Sequence, residues 1–149
     1  MTDTRIPTVV VVLPLIREKV LMQLRDFKRG IAYPGHWGFF GGKMNKRETS
    51  LEAALREIKE EINVSPKPLC LIGTDSIPNH NFSYIYSFKL NVPLNELQLN
   101  EGIDFDLISL NDIKKKKFFS KKLGKFFPIV PLPFIAETIN KCLGKNINY

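Results

Sequence analysis

Three glutamates stand close together in the middle of the chain, at positions 57, 60 and 61. If this segment is helical, each residue turns by about 100°, so the side chains of Glu57, Glu60 and Glu61 fall within an arc of roughly 100°. Carboxylates crowded in this way repel one another and raise each other's pKa unless a cation neutralises them. Hard oxygen ligands suit Mg²⁺ or Mn²⁺ better than zinc. The same pattern also fits a solvated acidic face that pairs with lysine and arginine, so it does not establish a metal site by itself.

One amphipathic helix would position these carboxylates. Thr49 is a suitable N-cap, and Glu52 lies three residues further on, as in a capping box. The apolar residues that follow have helical spacing: Leu51, Ala54, Leu55, Ile58 and Ile62. Asn63 can adopt the left-handed conformation that ends a helix. The pattern therefore predicts a helix between Thr49 and Asn63.

Strands are predicted on both sides of this helix. Residues 8–16 and 20–25 are β-branched or apolar runs separated by a short polar gap, which favours a strand pair. Further strands are predicted at 69–77, 82–90 and 105–110, a short basic helix capped by Asn111 or Asp112, and a final helix at 133–143. This order predicts an α/β fold in which helices cover a central mixed β-sheet.

Composition indicates one domain. A chain of 149 residues with 44% apolar content can bury its own core, so we predict a single domain over residues 1–149. The apolar stretch at 7–16 is broken by Pro14, is too short to span a bilayer, and is not followed by a small-residue cleavage site. We therefore expect a cytoplasmic protein that does not enter a membrane. Cys70 and Cys142 lack the spacing of a zinc site and are interpreted as reduced thiols.

The net charge of +7 favours an anionic partner. Much of this charge lies in the basic, aromatic stretch 114–127. Its lysines and aromatic residues could form a nucleic-acid-facing patch, with an RNA 5′ end or cap as substrate. It could also be a solvated face from which four phenylalanines pack into the core, namely Phe118, Phe119, Phe126 and Phe127. We favour the second interpretation.

The segment from Gly42 to Val64 contains a recognisable motif. It reads Gly42, five residues, Glu48, seven residues, Arg56-Glu57-Ile58-Lys59-Glu60-Glu61-Ile62-Asn63-Val64. This closely resembles the signature of the Nudix hydrolases, and the chain departs from it only in having Asn63 where the family has glycine. Asparagine is the next best residue for a left-handed helix end, so the backbone geometry is expected to survive. The resemblance implies a Nudix-type α/β/α sandwich with a central mixed β-sheet.

The resemblance also implies roles for individual residues. The ligands of the metal, Mg²⁺ or Mn²⁺, would be Glu57, Glu60, Glu61 and the backbone carbonyl of Gly41. Glu48 and Arg56 would support them, Arg56 by pairing with the first glutamates and fixing their orientation. In the implied reaction, two or more metal ions offset charge on the phosphate oxygens and lower the pKa of a bound water that attacks phosphorus.

A carboxylate must then accept a proton, and two candidates exist. Glu57 is one. In several Nudix enzymes a glutamate from a distant loop is the ligand or base, and here the loop at Asn100-Glu101-Gly102 is similar, which makes Glu101 our choice. Glu96 competes with Glu101 for this role, and Glu101 could also be a turn residue that only faces water.

The implied substrate is a nucleoside diphosphate linked to another group. Length and element order resemble the compact MutT-type members, which hydrolyse nucleoside triphosphates to monophosphates and release pyrophosphate. Those members read a purine edge with an asparagine before the final helix, where this chain has Pro131, so oxidised-guanine specificity is not expected. The alternatives are nucleotide sugars, RNA 5′ ends, or a domain of another class that senses a nucleotide without hydrolysing it.

Residues 26–36 are the predicted entrance to the substrate pocket. Tyr33, His36 and Trp37 could stack on a base or sugar, and Arg25 could meet a phosphate. Gly42 would let the loop pass close to the metal and phosphate, where a Cβ would obstruct. Each of these aromatic or charged residues also has a structural interpretation, as a core aromatic or a charge at the rim.

Overall fold

A computed structural model describes residues 8–77, 81–131, 137 and 139–140. Its strands are β1 Thr8–Ile16, β2 Lys19–Leu24, β3 Trp37–Gly38, β4 Phe40–Lys43, β5 Cys70–Ile77, β6 Asn81–Lys89, β7 Asp104–Ser109, β8 Lys117–Ser120 and β9 Lys125–Pro128. Its helices are α1 Ser50–Ile62, α2 Leu110–Lys114 and the short 3₁₀ turn Leu94–Glu96. Most of the final helix predicted at 133–143 lies outside the described residues. No helix in the described ranges is long and apolar enough to cross a membrane.

The central sheet has seven strands and is mixed, as predicted. Its strand order is β3-β2-β1-β6-β5, with β4 paired to β1 and β7 paired to β2. Strands β1 and β6 are parallel, whereas the other pairs in this sheet are antiparallel. Strand β1 therefore lies at the centre, where its first half pairs with β4 and its end pairs with β2. This split leaves β4 beside the second half of helix α1.

Apolar residues alternate along the central strands and form a core on each face of the sheet. On one face, Val10, Val12 and Leu21 pack with the apolar side of α1, including Ala54 and Ile58. On the other face, Leu13, Met22 and Trp37 pack with Phe127, Ile129, Val130 and Ile139. Ile139 belongs to the helical residues described at 137 and 139–140. The sheet is thus covered on both faces, which confirms the predicted α/β sandwich.

The ends of helix α1 are as predicted. Glu52 N–H donates to Thr49 Oγ1 at 3.1 Å, and Thr49 N–H donates to Glu52 Oε1 at 3.2 Å, so both bonds of the capping box are present. Asn63 has φ 57° and ψ 41°, and its N–H donates to the Lys59 carbonyl. Asparagine therefore provides the left-handed end that glycine provides in the motif.

Two predictions about the basic stretch were wrong. Helix α2 is capped by Ser109, whose hydroxyl accepts from the Asp112 N–H at 3.2 Å, and not by Asn111 or Asp112. The four phenylalanines do not all enter the core, because they lie on a two-stranded hairpin whose side chains alternate between faces. Phe127 is buried and Phe118 packs against the core, whereas Phe119 and Phe126 are 41% and 59% exposed.

Candidate metal and phosphate site

Helix α1 presents its three glutamates at different depths beside the end of strand β4. Glu61 is only 3% exposed, and the Glu57 side chain is 14% exposed. The Glu60 side chain reaches solvent, with 57% exposed. The helix thus holds one buried, one half-buried and one open carboxylate along a single face.

Two glycines let strand β4 approach these carboxylates closely. The Gly41 N–H points at both carboxylate oxygens of Glu61, each at 3.3 Å. Gly41 has φ 139°, and a Cβ there would overlap the Val10 carbonyl oxygen. A Cβ on Gly42 would lie 2.5 Å from Glu57 Oε1. Gly41 therefore needs glycine for steric reasons, and a side chain at Gly42 would displace the Glu57 carboxylate.

Arg56 organises the outer part of the site. Its Nε and Nη2 donate to the two oxygens of Glu48 at 2.6 and 2.9 Å. Its Nη1 donates to Glu57 Oε1 at 2.9 Å and lies 3.5 Å from Glu60 Oε2. The bond from Arg56, followed by one from the Asn45 N–H, lowers the pKa of Glu48 to about 2. The bond to Glu48 in turn raises the pKa of Arg56. Glu48 and Arg56 are thus an ion pair that orients Glu57.

Negative charge at the centre of the site is poorly compensated. Burial raises the pKa of Glu61 to about 8, and the Glu57 and Glu101 carboxylates add to the effect. The Gly41 N–H and Arg25 oppose this shift without cancelling it. Burial likewise raises the pKa of Glu57, although Arg56 acts in the opposite direction. A divalent cation fits this group of oxygen donors, because it would stabilise the charged form of every carboxylate.

In the described part of the chain, no three acidic, histidine or cysteine side chains are already gathered round one point as metal ligands. The contacts above explain this, since Arg56 holds Glu57 and Glu60 while the Gly41 N–H holds Glu61. The donor chemistry of Glu57, Glu60 and Glu61 nevertheless fits a hard cation.

The loop that carries Glu101 is bound to the end of helix α1. The Asn100 N–H donates to the Glu61 carbonyl at 2.9 Å, and Asn100 Nδ2 donates to the Glu60 carbonyl at 2.7 Å. These carbonyls belong to the last helical turn and lack partners within the helix. The attachment brings the Glu101 carboxylate close enough to raise the pKa of both Glu57 and Glu61. Glu96, the competing candidate, lies exposed in the 3₁₀ turn and affects neither pKa.

A cleft of about 360 Å³ opens beside Glu101. Its lining residues are Gln23, Arg25, Asp26, Lys28, Ile31, Asn100, Glu101 and Gly102. Gln23 is 4% exposed and its side chain lines the cleft. Gly102, with φ 85°, packs so closely over Gln23 that a Cβ would lie 2.9 Å from Oε1. The cleft thus contains an amide group able both to donate and to accept.

The predicted substrate contacts occupy different surroundings. Arg25 lines the cleft, and its Nε donates to the Ala32 carbonyl at 2.7 Å. Tyr33 is 42% exposed and contacts the His36 ring at 5.5 Å, outside the residues that line the cleft. Trp37 is fully buried, and its indole N–H donates to the Phe118 carbonyl at 2.9 Å. The prediction that Trp37 stacks on substrate was therefore wrong, because the core covers both faces of its ring.

Sequence reasoning missed Asn100 and Gln23. A signal existed for Asn100, since it directly precedes the glutamate chosen as base and a helix end needs donors for its free carbonyls. No comparable signal marked Gln23, which lies within an ordinary apolar strand, β2.

Comparisons with known proteins agree with this geometry. A family profile described as the NUDIX domain matches residues 5–128. The fold is similar to that of a MutT protein from Methanosarcina mazei, with 17% identity, a TM-score of 0.69, and coverage of 99% of this chain and 100% of that one. For a MutT NUDIX hydrolase from Burkholderia pseudomallei the values are 18%, 0.66, 89% and 95%.

A third similar structure is a bifunctional NMN adenylyltransferase/ADP ribose pyrophosphatase from Francisella tularensis, complexed with AMP and a manganese ion. It is 21% identical with a TM-score of 0.60, and the match covers 77% of this chain and 37% of that one. At such identities these structures establish a shared fold.

Proposed function

The chain belongs to the Nudix hydrolase family, and on that premise we propose that it hydrolyses a nucleoside triphosphate to a nucleoside monophosphate and pyrophosphate. The observation that carries this proposal is the position of Glu101, which lines the cleft and also interacts with the carboxylates of helix α1. A nucleotide in the cleft would therefore have its phosphates next to the acidic face.

We assign the metal to Glu57, Glu60, Glu61 and the backbone carbonyl of Gly41. When bound, Mg²⁺ or Mn²⁺ offsets charge on the phosphate oxygens and lowers the pKa of the attacking water. Arg56 and Glu48 keep Glu57 in position, and the glycines of β4 leave room for a phosphate beside it. The manganese ion and AMP in the Francisella structure support a divalent metal ion and a nucleotide as ligands.

The proton of the attacking water must pass to a carboxylate as the new P–O bond forms and the bridging P–O bond breaks. We assign this role to Glu101, with Glu57 as the alternative. Glu101 belongs to a loop that Asn100 holds on the last turn of α1 by two hydrogen bonds. Its carboxylate is therefore positioned beside the proposed metal ligands. A base held by a loop from outside the motif is consistent with proton transfer on the cleft side.

The cleft offers complementary groups for a nucleotide. Arg25 and Lys28 supply positive charge for the phosphates. The charge of Arg25 also lowers the pKa of Glu61, so it lies near the carboxylates of α1. The side-chain amide of Gln23, which lines the cleft, can exchange two hydrogen bonds with the polar edge of a base. A site built to bond such an edge discriminates against a base that lacks it, because the amide in the cleft then has no partner on the ligand. Gln23 is thus our candidate for base selection.

The first test is release of phosphate and pyrophosphate, with Mg²⁺ or Mn²⁺, from nucleoside triphosphates, nucleotide sugars, dinucleoside polyphosphates and capped RNA. We expect turnover of nucleoside triphosphates with pyrophosphate as product. We also expect a base preference of about tenfold or more that Gln23→Leu removes by raising KM for the preferred base. Glu60→Gln, which leaves the cleft intact, is the inactive control.

Other outcomes would replace this proposal by a defined alternative. Turnover of nucleotide sugars or capped RNA alone would change the substrate class while keeping the metal site. Tight nucleotide binding without turnover of any substrate would identify a sensing domain. Turnover that Glu60→Gln leaves unchanged would show that the metal assignment is wrong.

Asn100→Leu is expected to lower turnover about tenfold while leaving the affinity for Mn²⁺ nearly unchanged. The substitution keeps the size of the side chain but removes the donor to the Glu60 carbonyl, so the Glu101 loop loses its fixed position. Steady-state kinetics and a Mn²⁺ titration separate the two effects. Gln98→Leu is the matched control, because Gln98 only accepts a long 3.5 Å contact from Asn63. Equal losses in both variants would contradict the positioning role of Asn100.

A further inference from the structure

The hairpin formed by β8, β9 and their turn carries an unusual concentration of positive charge. The lysines of this region are Lys114, Lys115, Lys116, Lys117, Lys121, Lys122 and Lys125. No aspartate or glutamate occurs between Asp112 and Glu137 in the sequence to neutralise them. We use the name basic hairpin face for the surface formed by Lys117, Phe119, Phe126 and the two lysines of the turn, Lys121 and Lys122.

Two aromatic rings lie exposed at the centre of this face. Phe119 and Phe126 are cross-strand partners, and their ring centroids are 5.2 Å apart with an interplanar angle of 67°. Lys117 Nζ lies 5.0 Å from the Phe126 centroid. Their neighbours Phe118 and Phe127 already satisfy the core, so the exposed pair adds nothing to the packing beneath it. Apolar surface left exposed among charges is typical of an interaction site.

The hairpin is firmly attached to the wall of the cleft. Ser120 Oγ donates to Asp104 Oδ2 at 2.7 Å, and Lys122 Nζ donates to the Ile103 carbonyl at 2.7 Å. Ile103 and Asp104 directly follow Gly102, which lines the cleft. On the inner side, the Phe118 ring packs edge-on against Trp37 at 5.4 Å. The exposed rings are therefore held on a fixed platform next to the proposed nucleotide site.

We propose that the basic hairpin face binds single-stranded nucleic acid. Lysines neutralise successive backbone phosphates, and exposed aromatic rings stack on unpaired bases regardless of sequence. A lipid surface also attracts lysine and phenylalanine, but it favours a broad apolar face that can be buried in the membrane. Here two rings and Leu123, 38% exposed, stand on a two-stranded hairpin attached to the wall of the proposed nucleotide cleft. This arrangement suits bases that stack one at a time.

The test measures binding of fluorescent single-stranded RNA and DNA oligonucleotides of about 12 nucleotides by anisotropy over a range of salt concentrations. Phe119→Leu/Phe126→Leu keeps the apolar character of the face but removes the rings, and we expect it to weaken binding about tenfold. Lys117→Gln/Lys121→Gln is expected to reduce the slope of log affinity against log salt by about 1.4. Lys67→Gln/Lys89→Gln makes the same change in net charge elsewhere and is expected to leave affinity nearly unchanged.

Two further measurements separate this surface from the catalytic site and from a membrane. Glu60→Gln should bind the oligonucleotides as the wild type does, and the phenylalanine double variant should hydrolyse its small nucleotide substrate normally. Binding that follows net charge alone, with equal losses in the two lysine variants, would overturn the proposal. So would weak binding of oligonucleotides together with binding to phosphatidylglycerol vesicles that the leucine variant retains.

Discussion

Glu57→Gln is expected to lower turnover about a thousandfold, which corresponds to several kcal/mol of transition-state stabilisation. Glutamine has nearly the same shape, and its amide oxygen can still accept from Arg56, so the contact with Arg56 at 2.9 Å is retained. The substitution removes the negative charge beside Gly42 that we assign to the metal. Pyrophosphate release at saturating substrate measures the loss, and calorimetric titration of Mn²⁺ measures metal affinity independently of activity.

The same helix provides a matched control. Glu52 is exposed in the first turn of α1, and a glutamine there preserves the capping box. Glu52→Gln makes the same chemical change and the same change in net charge as Glu57→Gln, so it should leave turnover and metal affinity almost unaltered. If the two variants lost activity equally, the effect would belong to helix stability and not to the proposed ligand.

Local signals explain why the catalytic helix was predictable from the sequence. Thr49, Glu52 and Asn63 act within one or two turns of their own positions, so their types and spacing were enough to predict both ends of α1. The mixed sheet was also predictable as a class. Its pairing was not, because β1 is divided between β4 and β2 while running parallel to β6, more than sixty residues away.

The candidate site, like the fold, was predictable from the sequence only where local spacing determines the contacts. The spacing of the motif correctly predicted that Glu48, Arg56 and Glu57 form one hydrogen-bonded group. Asn100 and Gln23 were missed because their importance depends on contacts with distant segments, which spacing does not encode. Trp37 was misassigned because an aromatic residue next to a loop suits a substrate pocket and a core equally well, and only burial separates them.

The hairpin phenylalanines show a signal that was present but not used. Alternation in a strand places residues 118 and 119 on opposite faces, and likewise 126 and 127. Treating the four rings as one apolar group hid this division. Since Phe118 pairs with Phe127 and Phe119 with Phe126, one pair must face the core and the other must face solvent.

The buried carboxylate of Glu61 makes the stability of the metal-free protein depend on pH. Its pKa is about 8 in the folded protein against an ordinary value of 4.5, so between these values the folded state binds more protons than the unfolded state. The free energy of unfolding therefore falls as pH rises through this window. Glu57 shifts in the same direction. Glu48, with its pKa lowered to about 2, stabilises the folded state by a nearly constant amount above 4.5, so it adds no pH dependence there.

In EDTA, we expect the wild type to lose on the order of 3 kcal/mol between pH 4.5 and 8, a fall in melting temperature of roughly 5–10 °C. Mg²⁺ should restore most of this loss at the alkaline end, because a cation stabilises the ionised carboxylates. Glu61→Gln is neutral at every pH, so its metal-free form should unfold with a much flatter pH dependence and should gain little from Mg²⁺. Thermal unfolding of both proteins, with and without Mg²⁺, measures the difference.

The comparison separates two causes of an inactive variant. A merely structural role for Glu61 predicts that glutamine destabilises the protein at every pH, since only the bonds from Gly41 would be weakened. If Glu61 is instead a metal ligand, the opposite is expected at alkaline pH. There the metal-free Glu61→Gln variant should be more stable than the metal-free wild type, although it is inactive. If the metal-free variant instead melted below the metal-free wild type at alkaline pH, the assignment of Glu61 would be contradicted, because the cost of burying its charge, which a cation relieves, would then be absent.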